Sequence, residues 1–172
     1  MDLQKELSKN QAMLVIVKSK NYPKLVNEAA SQFSEESICY ITLNKTFESL
    51  KESFKSKNIP TDNIVFIDAI TPTIVESPGQ TAGCYFASSP AAMPEISALV
   101  SKLLGHEFRL FVFDSITSLL VYNKDAPVAK FIQRLVNEIK FSNAKALFYA
   151  LDIKEHESVL EECAMVFDKV IR

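Results

Sequence analysis

The sequence contains only three glycines among its 172 residues, and none of them precedes position 79. Loops that cradle phosphates need glycine where the backbone adopts a positive φ or approaches the phosphate too closely for a Cβ atom. A P-loop of the pattern G-x-x-x-x-G-K-[ST] and a dinucleotide fingerprint G-x-G-x-x-G both require such glycines directly after the first strand. Neither motif is present.

The sequence also has few cysteines and histidines and no cluster of basic residues. Cys39, Cys84 and Cys163 are too far apart for a CxxC metal site or a disulfide framework, so reduced core thiols and no metal are expected. His106 and His156 are isolated and are interpreted as surface histidines. The formal charge of −2 includes no basic block, so nucleic-acid binding is not expected.

No apolar run approaches the ~18 residues of a membrane-spanning helix. The charged N-terminus, MDLQKELSKNQA, has no apolar signal-peptide core. We therefore expect a cytoplasmic protein that does not bind membranes.

Apolar runs of strand length alternate with segments of helical period along the whole chain. Several runs are continuously apolar, which is typical of strands covered on both faces. The strand candidates are 13–17, 37–43, 63–68, 84–87, 108–114, 145–151 and 165–171, and amphipathic helices are expected around 25–33, 47–54, 96–104 and 128–139. This alternation predicts one α/β domain over 1–172, built on a doubly wound and mainly parallel sheet with helices on both faces. Within it, residues 1–12 are expected to form an N-terminal extension or short helix.

Residues 69–93 form the longest connection, which is typical of a functional or mobile loop. The segment after the first strand has a different composition from a phosphate loop. Laid on the P-loop pattern, Lys18 and Pro23 replace the glycines, Lys24 matches the lysine, and Leu25 replaces the hydroxyl that binds Mg²⁺. Proline also removes one of the backbone N–H groups that would hold the phosphates.

Other parts of the chain nevertheless resemble a RecA/KaiC-like domain of the P-loop ATPase superfamily, of the small type found in archaea. An apolar strand that ends in Asp114 and continues as Ser-Ile-Thr-Ser-Leu-Leu is similar to the Walker B region of that family. The resemblance covers nearly all of the chain from Met13 onward, and its other segments are 38–44, 47–50, 65–68, 88–90 and 167–171. It implies a three-layer RecA-like core with a degenerate Walker A motif.

The resemblance also implies roles for two positions. The family's acid at the position of Asp114 helps to hold the Mg²⁺ of bound ATP, and catalytic glutamates stand at the end of the second strand, where this chain has Asn44 and Lys45. Phosphoryl transfer depends on positioning and charge stabilisation, and each lost factor of ten in rate corresponds to about 1.4 kcal/mol of barrier. We therefore expect no catalytic residues for hydrolysis.

Polar side chains at the ends of the predicted strands define a vestigial nucleotide site at the carboxyl edge of the sheet. Two interpretations remain open: a polar crevice in which a lysine replaces the metal beside Asp114, or polar groups that cap helices and solvate the sheet edge. The candidate residues are Lys18, Ser19, Lys20, Lys24, Asn44, Asp114 and Ser115, with Asp68 at a further strand end.

Three functions are compatible with these features. The preferred hypothesis is a non-catalytic regulatory or interaction module without a cofactor, which binds a protein partner or a second copy of itself. The alternative is a protein that binds ATP with Mg²⁺ through an altered loop built on Lys18, Lys20 and Lys24. The third is an enzyme of another class with 69–93 as a lid, although no acid–base or nucleophile group supports it.

Overall fold

The computed structural model describes all residues from 1 to 172. It contains seven strands: β1 (Ala12–Val17), β2 (Ile38–Thr42), β3 (Ile64–Asp68), β4 (Cys84–Phe86), β5 (Leu110–Asp114), β6 (Lys145–Leu151) and β7 (Lys169–Ile171). All neighbouring strands are parallel, in the order β4-β3-β2-β5-β6-β1-β7. The predicted doubly wound parallel sheet is confirmed.

Eight helices connect and flank these strands. They are α1 (Leu3–Lys9), α2 (Tyr22–Gln32), α3 (Phe47–Ser56), α4 (Thr71–Ile74), α5 (Met93–Leu104), α6 (Ile116–Tyr122), α7 (Asp125–Phe141) and α8 (Glu157–Ala164). The extension at 1–12 contains α1, and the connection 69–93 contains the short elements α4 and β4. None of the eight helices combines the length and the apolar composition that a membrane span requires.

Two apolar clusters cover the two faces of the sheet, as a continuous apolar pattern in the strands requires. One face packs against α1, α2 and α3, and the other packs against α5, α6, α7 and α8. Both clusters include fully buried aromatic side chains, among them Phe54 on the first face and Phe113 and Phe148 on the second. All three cysteines are free and buried.

The last strand is shorter than the sequence predicts, because residues 165–168 form a turn after α8. Asp168 has its carboxylate in that turn, where it accepts hydrogen bonds from the backbone N–H groups of Gln11 (3.0 Å) and Ala12 (2.8 Å). Lys140 donates to the same carboxylate at 2.5 Å. These bonds tie the start of β1 to the end of α7 and leave only three residues for β7.

Candidate functional site

A row of buried polar side chains crosses the carboxyl edge of the sheet. The strand register pairs Asp68 with Thr42, Thr42 with Asp114, and Asp114 with Tyr149. All four residues are almost completely inaccessible to solvent. In open parallel sheets this is the edge at which ligands bind, so these side chains decide whether a ligand can be held there.

Asp114 lies at the centre of this row and is enclosed by hydroxyl and amide donors. The Tyr40 hydroxyl donates to one carboxylate oxygen at 2.5 Å, and the Asn44 amide donates to the other at 3.0 Å. The Tyr22 hydroxyl also donates to that second oxygen and accepts a bond of 2.7 Å from Asn44. Every hydrogen bond of this carboxylate therefore comes from the protein's own uncharged groups.

Tyr22 reaches Asp114 because of the local structure after β1. A turn of 3-10 helix at Ser19–Asn21 leads directly into α2, whose first residue is Tyr22 and whose first turn contains Pro23. Proline is favoured in the first turn of a helix because its missing N–H has no partner there anyway. The segment that would form a phosphate loop is thus a tight turn and helix start, and it places a phenol ring over the carboxylate.

Burial and hydrogen bonding have opposite effects on the pKa of the Asp114 carboxyl. Burial raises the pKa of Asp114, whereas hydrogen bonds from Tyr22, Tyr40 and Asn44 and the positive charge of Lys45 act to lower it. Burial and the nearby charge of Asp114 raise the pKa of both Tyr22 and Tyr40. Both phenols therefore stay protonated and act as donors at neutral pH.

The lysines that were expected to pair with Asp114 lie elsewhere. Lys24 forms an exposed ion pair with Glu28 at 3.5 Å, and the side chains of Lys18 and Lys20 are exposed and form no ion pair. The hypothesis of a lysine in place of the metal is therefore wrong. Burying an ammonium group costs more free energy than burying a phenol. The three lysines lie on an exposed segment, where their ammonium groups stay hydrated.

The other residues of the predicted site occupy structural positions. Ser115 is the N-cap of α6, where its hydroxyl accepts a bond of 3.2 Å from the Ser118 backbone N–H, and the peptide bond that joins it to Asp114 is cis. Ser19 lies in the exposed 3-10 turn. Of the other predicted site residues, only Asn44 donates a hydrogen bond to the Asp114 carboxylate.

Asp68 caps two helices at once. Its carboxylate accepts a hydrogen bond from the backbone N–H of Phe47 (2.9 Å), the first residue of α3. It also accepts bonds from the backbone N–H groups of Ile70 (2.7 Å), which precedes α4, and of Thr71 (2.9 Å), the first residue of α4. The Thr71 hydroxyl adds a bond of 2.6 Å. A carboxylate with four donors has no free acceptor direction for a ligand, so Asp68 is a structural residue.

One small cavity borders Tyr22. A cavity of about 20 Å³ lies beside its ring, bordered by Pro23, Asn27 and Lys45 among others. Such a space holds about one water molecule.

Tyr22, Tyr40 and Tyr149 were not recognised from the sequence as site residues. The Tyr149 hydroxyl is buried without a hydrogen-bond partner, and its ring stands edge-on to that of Tyr22, with the centroids 6.5 Å apart. A usable signal is present in the sequence, because Tyr40 and Tyr149 each stand in a largely apolar strand, two residues before its end. A phenol at such a position points to a polar partner on a neighbouring strand.

The pH dependence of stability should report on this carboxyl. Because the pKa of Asp114 in the folded protein lies above its ordinary value of 3.8, the unfolded chain ionises first as the pH rises. The free energy of unfolding of the wild type, relative to that of Asp114→Asn, is therefore expected to fall as the pH rises from about 3.5. The fall should end above the pKa of Asp114 in the folded protein. Its total size should be about 1.4 kcal/mol for each unit by which the folded pKa exceeds the unfolded one. Urea denaturation of both proteins across this range measures it, and a difference that grows with pH would contradict the assignment.

Comparisons with known proteins support the fold assignment alone. No family model matches the sequence, and no curated protein matches it. Among solved structures, a KaiC-like protein from the hyperthermophilic archaeon Pyrococcus horikoshii is similar, with a TM-score of 0.56 and 12% sequence identity over 82% of this chain. The match spans 61% of that protein's chain. The chain therefore has a KaiC-like, RecA-type α/β fold.

Proposed function

We propose that this protein is a non-catalytic RecA/KaiC-like domain that acts by binding other protein molecules and not by hydrolysing nucleotide. The observation that carries the proposal is the enclosure of Asp114 by Tyr22, Tyr40 and Asn44. A carboxylate that is to hold a hydrated Mg²⁺ must offer a free oxygen to water or phosphate. Here both oxygens are occupied by groups that are part of the folded chain.

The residues around the turn add a second argument. A P-loop supplies several backbone N–H groups that converge on the phosphates. The corresponding segment here forms a 3-10 turn followed by Pro23 in the first turn of α2, so its backbone lacks one donor and glycine is absent throughout. Degeneracy of the Walker A segment is thus part of this proposal.

Titration calorimetry with Mg-ATP tests the proposal. We expect no binding heat with the wild type up to about 1 mM nucleotide, which corresponds to less than about 4 kcal/mol of binding free energy. Asp114→Asn provides the matched variant, because it keeps the size of the side chain and removes its charge.

Micromolar affinity that disappears in Asp114→Asn would contradict the proposal. Affinity that survives in Asp114→Asn but disappears when Lys18, Lys20 and Lys24 are all changed to Ala would favour the alternative, an altered phosphate loop. Because these three lysines are exposed, their ammonium groups are accessible to a phosphate, and their replacement should not disturb the fold.

A further inference from the structure

The amino edge of the sheet lies opposite Asp114. Two depressions of about 570 and 720 Å³ lie there, and both are bordered by Ser37, Arg109 and Asn143. These residues directly precede or lie just before β2, β5 and β6. Because the depressions share their border, they form one continuous surface, which we call the amino-edge groove.

The backbone beneath the groove is held in place by hydrogen bonds. The backbone N–H of Arg109 donates to the backbone oxygen (2.9 Å) and the hydroxyl (3.1 Å) of Ser37. The Ser37 hydroxyl in turn donates to the backbone oxygen of Glu107 at 2.8 Å. The groove is therefore a preformed surface, which reduces the entropy lost when a partner binds.

Charges of both signs line the groove, and none is neutralised within the chain. The cations are Arg109 and Lys145, and the carboxylates are Glu35, Glu36 and Glu107. The two ion pairs of the structure, Lys24–Glu28 and Lys140–Asp168, involve none of them. A polyanion such as nucleic acid would be repelled by the carboxylates, and a strongly basic partner by the cations.

Two exposed apolar side chains lie at the same edge. Phe141, the last residue of α7, is 92% exposed, and Met165, directly after α8, is 83% exposed. The bond between Lys140 and Asp168 holds these two helix ends together. Phe141 precedes the groove residue Asn143 by two positions, so an aromatic side chain flanks the charged groove. Aromatic residues and arginine are the types enriched at protein interfaces.

We propose that the amino-edge groove is the docking surface for a second copy of this chain, related to the first by a two-fold axis. The proposal rests on the proposed interaction function and identifies its partner. In a two-fold interface the same patch meets itself, so each contact of residue i with residue j occurs twice. A patch with unpaired charges of both signs matches such a copy, because Arg109 of each molecule meets a carboxylate of the other while Phe141 becomes buried.

Sedimentation velocity and light scattering test this inference on the full chain. The wild type is expected to be a dimer at about 100 µM, and to dissociate more readily at high salt because the paired charges become screened. Phe141→Glu and Arg109→Glu should each weaken the dimer at least about tenfold, because each puts a carboxylate where the interface would bury an aromatic ring or pair a cation. Circular dichroism spectra of the variants should match that of the wild type, because both side chains are exposed.

Val121→Glu is the matched control. Val121 is 73% exposed in α6, which begins at the carboxyl edge, so this variant introduces the same charge outside the groove and should remain dimeric. A monomeric wild type at about 100 µM, or a Phe141→Glu variant as dimeric as the wild type, would overturn the inference. Either result would leave the Mg-ATP titration, and hence the absence of nucleotide binding, unaffected.

Discussion

Replacing Asp114 by Ala is expected to destabilise the protein by about 2–4 kcal/mol, because the buried Tyr40 hydroxyl is left without its acceptor and the Tyr22 hydroxyl loses one bond. For a chain of this length, the unfolding midpoint should fall by roughly 5–15 °C. Thermal and urea denaturation at neutral pH measure the effect. Tyr40 lies fully buried, so its hydroxyl has no solvent to replace the lost bond.

Asp114→Asn is the matched variant for this experiment. The asparagine oxygen can still accept from Tyr22 and Asn44, and its amide can donate to the Tyr40 hydroxyl. This variant also removes a buried charge. It should be at least as stable as the wild type at neutral pH, and equal loss of stability in the Ala and Asn variants would contradict the described network.

Replacing Asp68 by Ala is expected to cost about 3–5 kcal/mol of unfolding free energy, because it removes the acceptor of three backbone N–H groups and one hydroxyl. The loss should loosen the starts of α3 and α4 together, since the same carboxylate holds both. Urea denaturation gives the size of the effect, and amide hydrogen exchange of Phe47, Ile70 and Thr71 gives its location.

Asp62→Ala provides the control, because Asp62 is exposed and accepts no hydrogen bond in the structure. It should change the free energy of unfolding by no more than about 0.5 kcal/mol. If Asp68→Ala were equally mild, Asp68 would have to be regarded as available for a ligand and not as a structural cap.

The fold was predictable because its signals are local. Continuous apolar runs such as that of β5 are required in a strand covered on both faces, and the amphipathic pattern of α7 is required in a helix that covers one of them. The errors lie at strand ends. Residues 165–168 are apolar enough for a strand, but the hydrogen bonds of Asp168 across more than 150 positions of sequence make them a turn.

The candidate site was only partly predictable, since it depends on contacts between distant segments. Asp114 and Asn44 were identified from their positions at strand ends. Tyr22 carries no such signal, because its partner is a carboxylate 92 positions away. The predicted lysine partner failed on physical grounds, because long cationic side chains on an exposed turn remain hydrated, while a phenol can be buried and still donate a hydrogen bond.

The central claim is that the chain's own side chains occupy the carboxyl-edge site. A high-resolution crystal structure grown with Mg-ATP in excess tests it most directly. We predict that the Tyr22 hydroxyl remains hydrogen-bonded to Asp114 and that no nucleotide density appears beside it. A displaced Tyr22 ring, with phosphates held by residues 18–25 and a magnesium ion next to Asp114, would contradict the claim.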